Sequence, residues 1–152
     1  ESRNVISGKG TTGYRTWEAA FSLSEYLIQY PDTVLGKRVL ELGTGTGFVS
    51  LVVGKLDCAA NITATDGFEE VLLYMRRAVH SNNLENSIQT RILKWGLEAE
   101  YTYTDPVDII LGADLTFDPA ACTLLADTLN LLMRLNPTCK VLISAAIRDI
   151  AT

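Results

Sequence analysis

The run Arg38-Val39-Leu40-Glu41-Leu42-Gly43-Thr44-Gly45-Thr46-Gly47-Phe48, continued by Val49-Ser50-Leu51-Val52-Val53-Gly54-Lys55-Leu56, joins two kinds of local structure through glycines. Arg38 to Leu42 has strand character, and the residues from Phe48 onward read as a helix. Between them Gly43, Gly45 and Gly47 stand in a G-x-G-x-G spacing. Glycines so placed let the backbone turn sharply, approach a ligand closely and begin the next helix without Cβ clashes. The unit is a strand, a glycine loop and a helix.

The same alternation continues downstream. Asn61 to Asp66 is a second short strand, broken by Gly67 before a helical pattern of Val71, Leu72, Met75 and Val79 that ends at Ser81-Asn82-Asn83. Ile88 to Lys94 is a third strand, marked by the β-branched Ile88, Thr90 and Ile92, and a polar loop runs from Gly96 to Pro106. Val107 to Gly112, apolar apart from Asp108, has the look of a central parallel strand buried on both faces. Asp118-Pro119 starts a helix, with Asp as the cap and Pro tolerated in the first turn. Its apolar positions are Leu124, Leu125, Leu129, Leu132 and Met133, it ends at Asn136-Pro137, and a fifth strand follows from Lys140 to Ala146. Upstream, a polar segment from Glu1 to Thr12 precedes a helix with an apolar stripe of Trp17, Ala20, Phe21, Leu27 and Ile28, interrupted by Ser24 and stopped by Pro31. Five strands alternating with helices predict a doubly wound α/β domain with a parallel sheet covered on both faces.

The chain has 152 residues, enough for one domain or a piece of one. Its 47% hydrophobic and 20% charged residues suit a packed core rather than a disordered tail. Thirteen Lys and Arg against eighteen Asp and Glu leave a net charge of -5 with no basic run, so no nucleic-acid partner is expected. No apolar stretch approaches the ~20 residues that span a bilayer, and no membrane partner is expected. Cys58, Cys122 and Cys139 lie far apart, with neither disulfide-framework nor metal-ligand spacing, which fits a reducing compartment and small packing residues. The chain opens on Glu1 without a secretory leader and stops just after a strand, so a fragment of a longer protein is expected.

In sheets of this kind ligands bind at the carboxyl ends of the strands, beside the point where strand order reverses. The glycine loop should lie there. A dinucleotide fingerprint, G-x-G-x-x-G, would need its third glycine at position 48, where this chain has Phe48. Glu41 stands two residues before the first glycine, where its charge would repel a diphosphate and suit a cation. Asp66 ends the second strand 19 residues after Gly47, where a carboxylate can accept the two hydroxyls of an adenosine ribose. The pattern describes a site for adenosine joined to a positively charged group. The alternative is structural, with the glycines making a tight turn and Asp66 capping a helix.

Glu41-Leu42-Gly43-Thr44-Gly45-Thr46-Gly47 with Asp66 resembles the S-adenosylmethionine site of the seven-strand methyltransferases. Four further segments sharpen the likeness: Gly13 to Ala20, Lys94-Trp95-Gly96, Ala113-Asp114-Leu115-Thr116-Phe117 and Ser144 to Arg148. Together they are similar to the eukaryotic protein-lysine methyltransferases of non-histone substrates. The opening Gly10 to Ala19 most resembles the elongation factor 2 lysine methyltransferases.

The resemblance implies a Rossmann-like methyltransferase domain over residues 1–152, truncated after the fifth of seven strands and lacking an amino-terminal region. It also implies S-adenosyl-L-methionine as cofactor, with S-adenosyl-L-homocysteine as product, a protein substrate such as elongation factor 2, and a monomer in the cytoplasm. The cofactor would be held by Trp17, Glu41, Gly43, Thr44, Gly45, Gly47, Asp66, Trp95 and Ala113. Either indole can instead be a core or rim aromatic.

Asp114 and Phe117 occupy the family's Asp-x-x-Tyr or Asp-x-x-Phe position, where the substrate lysine would enter. Asp114 would capture and orient the lysine head, and Phe117 would offer its ring face to the cation. Phe117 lacks the phenol that many relatives carry there. No dedicated general base is evident; His80, late in its helix, reads as a surface or packing residue. Two other classes remain open on the sequence: a methyltransferase for RNA or small molecules, and a non-catalytic cofactor-binding module.

Overall fold

The computed structural model of the protein describes residues 12–96, 103–116 and 118–147, with the side chains of the first helix described from Glu18 onward. Phe117 and Arg148, and the side chain of Trp17, lie outside the described residues. In chain order the elements are α1 (Thr12–Gln29), β1 (Arg38–Leu42), α2 (Phe48–Leu56), β2 (Asn61–Asp66), α3 (Glu69–Ser81), β3 (Ile88–Ile92), β4 (Ile109–Ala113), α4 (Pro119–Leu135) and β5 (Lys140–Ser144). A single 3₁₀ turn, Pro31–Thr33, follows α1.

The five strands form one parallel sheet in the order β3-β2-β1-β4-β5. The chain therefore builds outward from β1 through β2 to β3, then crosses back to place β4 and β5 on the other side. The reversal lies between β1 and β4, which makes the carboxyl ends of these two strands the switch point. Their register is fixed at the opposite end, where Asp108 grips Arg38. The Asp108 carboxylate accepts the Arg38 backbone N–H at 2.8 Å, Nε at 2.8 Å and a terminal guanidinium N–H at 2.7 Å. The one polar residue of the otherwise apolar run thus locks β4 beside β1.

Alternation along the strands feeds two cores. Val39, Ile62, Ala64, Ile109 and Leu111 face one side, under Leu23 and Leu27 of α1, Val49 and Val53 of α2, and Met75 and Val79 of α3. Leu40, Leu42 and Ile110 face the other side, under Leu125 and Leu132 of α4. Tyr103 and Val107 complete this second core, so the expected polar loop contributes one buried residue, Tyr103.

Helix boundaries follow local chemistry. Asp118 caps α4 through its carboxylate, which accepts the Ala120 N–H at 3.1 Å, and Pro119 takes the first position, where its missing donor costs nothing. Asn136 ends α4, donating to the Leu132 carbonyl at 3.0 Å and accepting the Val107 N–H at 2.9 Å.

Two expectations shift. In α1 the inward face is Ala19, Leu23, Ser24 and Leu27, while Phe21 and Ile28 are exposed. Residues four apart lie on one helical face, and the small Ala19 and Ser24 belong to that face because α1 packs closely on α2. Phe21 instead lies against the Phe48 ring, with centroids 4.7 Å apart. In α4, Leu124 and Met133 are likewise exposed, and buried Thr128 lies between Leu125 and Leu132 on the inward side.

Candidate active site

The glycine loop leaves β1 at the switch point and is tied to its neighbours before any ligand is considered. The Thr44 N–H donates to the Thr65 carbonyl of β2 at 2.8 Å, and the Thr65 hydroxyl donates to the Glu41 carbonyl at 2.6 Å. Gly47 takes a left-handed φ of +80°, and a Cβ there would lie 1.8 Å from the Met75 sulfur of α3. Close approach of α3 is the reason for glycine at this position. Gly45 differs: at φ +54° a Cβ would meet nothing within 4 Å. The loop is packed from below at Gly47 and open at Gly45, the side from which a ligand can approach.

Glu41 is where the sequence reading placed it, but its carboxyl group is turned inward. Only 2% of the residue is exposed, and the carboxyl accepts the Thr44 hydroxyl at 2.7 Å and the Ser50 hydroxyl in a short contact. It also accepts the Ser50 backbone N–H. Gly47 offers no side chain to cap α2, so Glu41, reaching across from the preceding strand, occupies the first turn of that helix. The helix terminus that holds a diphosphate in dinucleotide sites is thus already occupied by a carboxyl group. Burial, opposed by the hydroxyl and amide bonds, pushes the Glu41 pKa up from 4.5 to about 7. The charge argument made from sequence therefore acts through the loop's scaffold.

Asp66 sits at the end of β2, partly buried. One carboxylate oxygen accepts the Gly45 N–H and the other the Phe68 N–H, each at 3.2 Å. It fixes the open glycine of the loop and the turn that leads into α3, but it does not cap that helix, whose N-cap residue Phe68 makes no side-chain capping bond. Burial raises its pKa against the pull of these amides. Each carboxylate oxygen has a second lone pair, so a pair of ligand hydroxyls could still be accepted.

Asp114 follows β4, across the switch point from Gly43. It is 4% exposed, its backbone φ is +53°, and its N–H donates to the Ser144 carbonyl of β5 at 2.7 Å. Among the described residues, left-handed non-glycine positions occur also at Asp57 and Asn83, both just past helix ends where this conformation is common. Asp114 has no helix to terminate. It is held there because Leu115 turns into the core beneath the glycine loop, 2.8 Å from where a Cβ on Gly43 would stand. Such strain, worth about 1 kcal/mol or more, clusters at functional positions. Ala113, the last residue of β4, pairs with Ser144.

Trp95 lies against the same spot, its ring 3.4 Å from the same Cβ position on Gly43. The structure thus brings together Glu41, Gly43, Thr44, Gly45, Gly47, Asp66, Trp95, Ala113 and Asp114 at one end of the sheet. The backbone of Trp17 lies in α1 and Glu18 is exposed. His80 is exposed against Glu85, away from this end. The site also contains Ser50, Thr65 and Thr128, none of which the sequence reading singled out. The first and last of these are hydroxyl residues on the inward faces of helices, a placement that the sequence alone does not distinguish from a solvent-facing one.

The family profile described as lysine methyltransferase matches residues 6–151. The chain belongs to the lysine methyltransferase family. A similar relative is the protein-lysine N-methyltransferase EFM3 of Chaetomium thermophilum, 39% identical over 98% of this chain and 47% of the relative. Another is the EEF1A lysine methyltransferase 3 of Xenopus tropicalis, 32% identical over 88% of this chain and 57% of the relative. The chain thus spans about half the length of the curated relatives it matches. Among solved structures, the glycopeptide N-methyltransferase MtfA aligns with a TM-score of 0.64 at 18% identity, over 86% of this chain and 55% of that one, which concerns the fold alone. As a member of this family the chain carries the Rossmann-like sheet expected of it, in five described strands.

Proposed function

We propose that this chain is the cofactor-binding part of a protein-lysine N-methyltransferase that moves a methyl group from S-adenosyl-L-methionine to a lysine of a translation elongation factor. Its place in the lysine methyltransferase family supports the reaction class. The observation that carries the reading is Asp114: a buried carboxylate in a strained turn, set across the switch point from a glycine loop anchored by Asp66.

The residues present fit the cofactor. Gly45 leaves open space for close approach, Asp66 keeps acceptor capacity for two hydroxyls, and Trp95 sets an indole beside the loop. Ala113, Gly43, Thr44 and Gly47 shape the remaining wall, and Trp17 is assigned to it on the family resemblance. When bound, S-adenosyl-L-methionine supplies an electrophilic methyl on a sulfonium. A nitrogen–carbon bond then forms as the carbon–sulfur bond breaks, and the amine's proton is released.

The chain's own work is to hold and align. A free lysine, with a pKa of about 10.4, arrives as ammonium. Asp114 captures that head, and Phe117 is assigned the cation-π face on the family resemblance. Desolvation beside a cationic donor then favours loss of the proton, so alignment and exclusion of water replace a dedicated base.

Elongation factor 2 is the proposed target, on the resemblance of residues 10–19. Elongation factor 1A is the second reading, favoured by the name of the Xenopus relative. A cytoplasmic location is proposed with that substrate class, and a monomer on the family resemblance. The test is a methyl-transfer assay with the full-length natural protein, labelled S-adenosyl-L-methionine and an extract from cells lacking the enzyme, with Asp114→Ala as control. One labelled protein, mapped to a lysine and absent in the control, is the expected result. Label in RNA or small molecules would overturn the protein-substrate reading, and cofactor binding without transfer would make the chain a binding module.

A further inference from the structure

Thr128 stands in the middle of α4, between Leu125 and Leu132 on the inward face, and its side chain is fully buried. A hydroxyl in such a place needs partners, and this one has two. It donates to the Leu124 carbonyl at 2.9 Å and accepts the Gly96 N–H at 2.8 Å. The first bond is the ordinary one that a helical threonine makes to the preceding turn, and it already satisfies the donor. The second does nothing for the helix. It reaches 32 residues back along the chain to a glycine whose φ is +124°, a conformation sterically closed to most other residues.

What that bond fixes is the turn directly after Trp95. The Trp95 ring packs into the core shared with Leu125 and Leu129 of α4, and its edge lies 3.4 Å from where a Cβ on Gly43 would stand. On the other side of Gly96, Leu124 comes within 3.4 Å of a Cβ built there. One turn of α4, from Leu124 to Thr128, therefore clasps the Gly96 backbone from the hydroxyl and the leucine together.

We propose that Thr128 is a positioning residue for the methyl donor: by holding the Gly96 amide it sets the indole of Trp95 against the glycine loop. The inference rests on the assignment of this loop and Trp95 to the cofactor. Valine has nearly the shape of threonine but cannot accept a hydrogen bond, so Thr128→Val leaves the buried Gly96 N–H unpaired and the turn unpinned. Serine restores the acceptor without the methyl.

The experiment uses the full-length natural protein and S-adenosyl-L-homocysteine as the probe. Calorimetry on the wild type, Thr128→Val and Thr128→Ser is combined with thermal melting and with hydrogen exchange over residues 93–96. Thr128→Val is expected to weaken binding about tenfold, because the released turn must be returned to its place with the Gly96 N–H unpaired when the probe binds, and to raise the KM for the donor more than it lowers kcat. Thr128→Ser restores most of the affinity, and the Gly96 amide loses protection in the valine variant alone. Leu132→Ala, a core truncation on the same helix, separates positioning from stability: it is expected to lower the melting temperature without the tenfold loss.

Equal affinity in wild type and Thr128→Val would overturn the proposal, as would an equal loss in Leu132→Ala. Should Thr128→Val fail to fold, the wild type decides alone. Added probe must then increase protection of the Gly96 amide, and no change would overturn the inference. Failure of the wild type to bind the probe at all would instead remove the cofactor reading itself, and the inference with it.

Discussion

Replacing Glu41 with Gln should make the stability of the unliganded protein less dependent on pH, and the size of the effect follows from the burial of one carboxyl group. Glu41 is fully enclosed, with its pKa pushed up from 4.5 to about 7. Between those values the folded state keeps a proton that the unfolded chain has lost. Raising the pH through that window therefore favours unfolding; the stabilising contribution is complete below the unfolded pKa and gone above the folded one. Between about pH 5 and pH 8 the loss is roughly 2 to 3 kcal/mol, since a tenfold difference in proton affinity between the folded and unfolded states corresponds to about 1.4 kcal/mol. Gln has the shape of the protonated acid and can still accept from the Thr44 and Ser50 hydroxyls, but it does not titrate. Urea or thermal unfolding of wild type and Glu41→Gln at both pH values measures the difference between the two proteins, so other titrating groups cancel. The variant should gain on the wild type by that amount on going from pH 5 to pH 8. A stability difference that stays constant across the range would refute the reasoning, because it would mean that the buried carboxyl does not hold its proton.

The two ends of the glycine loop should respond differently to alanine. Gly47→Ala places a methyl on the Met75 sulfur in a left-handed turn, and a loss of about 3 kcal/mol is expected; Gly45→Ala carries only the backbone penalty of about 1 kcal/mol and should damage donor binding more than melting temperature. Asp114→Asn should fold normally, because Asn tolerates left-handed φ, while lowering kcat/KM for the protein substrate roughly 100-fold through the lost charge; Asp114→Ala should show the same kinetic loss with a lower melting temperature. Kinetics and melting curves on the two variants separate the effects. The guanidinium of Arg38 holds the Asp108 carboxyl well below the ordinary range, so its contribution to stability is present above the usual carboxylate pKa and fades as pH falls toward the folded value. Asp108→Asn should remove that part of the acid sensitivity in an acid titration of unfolding, with a modest effect at neutral pH because the pair is solvent-exposed.

What the sequence revealed was local. β1, β2 and the cap of α4 matched the reading because strand alternation, a glycine break and an Asp-Pro start are each contained within a few residues. The α1 stripe holds at Ala20 and Leu27 but not at Phe21 and Ile28, for the opposite reason. Phe21 and Ile28 are large and apolar, but close packing on α2 selects the face that carries Ala19, Leu23, Ser24 and Leu27, and helix spacing cannot be known from one helix alone. Asp108 looked like an exception within a buried strand until its partner, 70 residues earlier, was in place. At the site, the positions of Glu41, Asp66 and Asp114 were legible from their places at strand ends. The hydroxyls that hold Glu41 and Gly96 in position were not, because Ser50 and Thr128 acquire their roles only when a helix is laid against the sheet.

The inward turn of Glu41 bears on why a glycine loop of this kind would take a cation rather than a phosphate. A bare helix start offers unpaired N–H groups and a partial positive charge. Here the first turn of α2 is filled by the Glu41 carboxyl, and the open Gly45 amide is already donated to Asp66. The Thr44 hydroxyl and the Gly45 amide are committed to two carboxyl groups, the Thr44 and Gly47 amides to backbone carbonyls, and a third carboxyl group, Asp114, stands across the switch point. An incoming diphosphate would find negative charge where it needs donors. A sulfonium or an ammonium would find the reverse, and its arrival would favour ionisation of Glu41, whose pKa near 7 leaves it balanced between the two forms. The acid two residues before the first glycine fills the helix terminus that a diphosphate would need, which favours a cationic ligand at this loop.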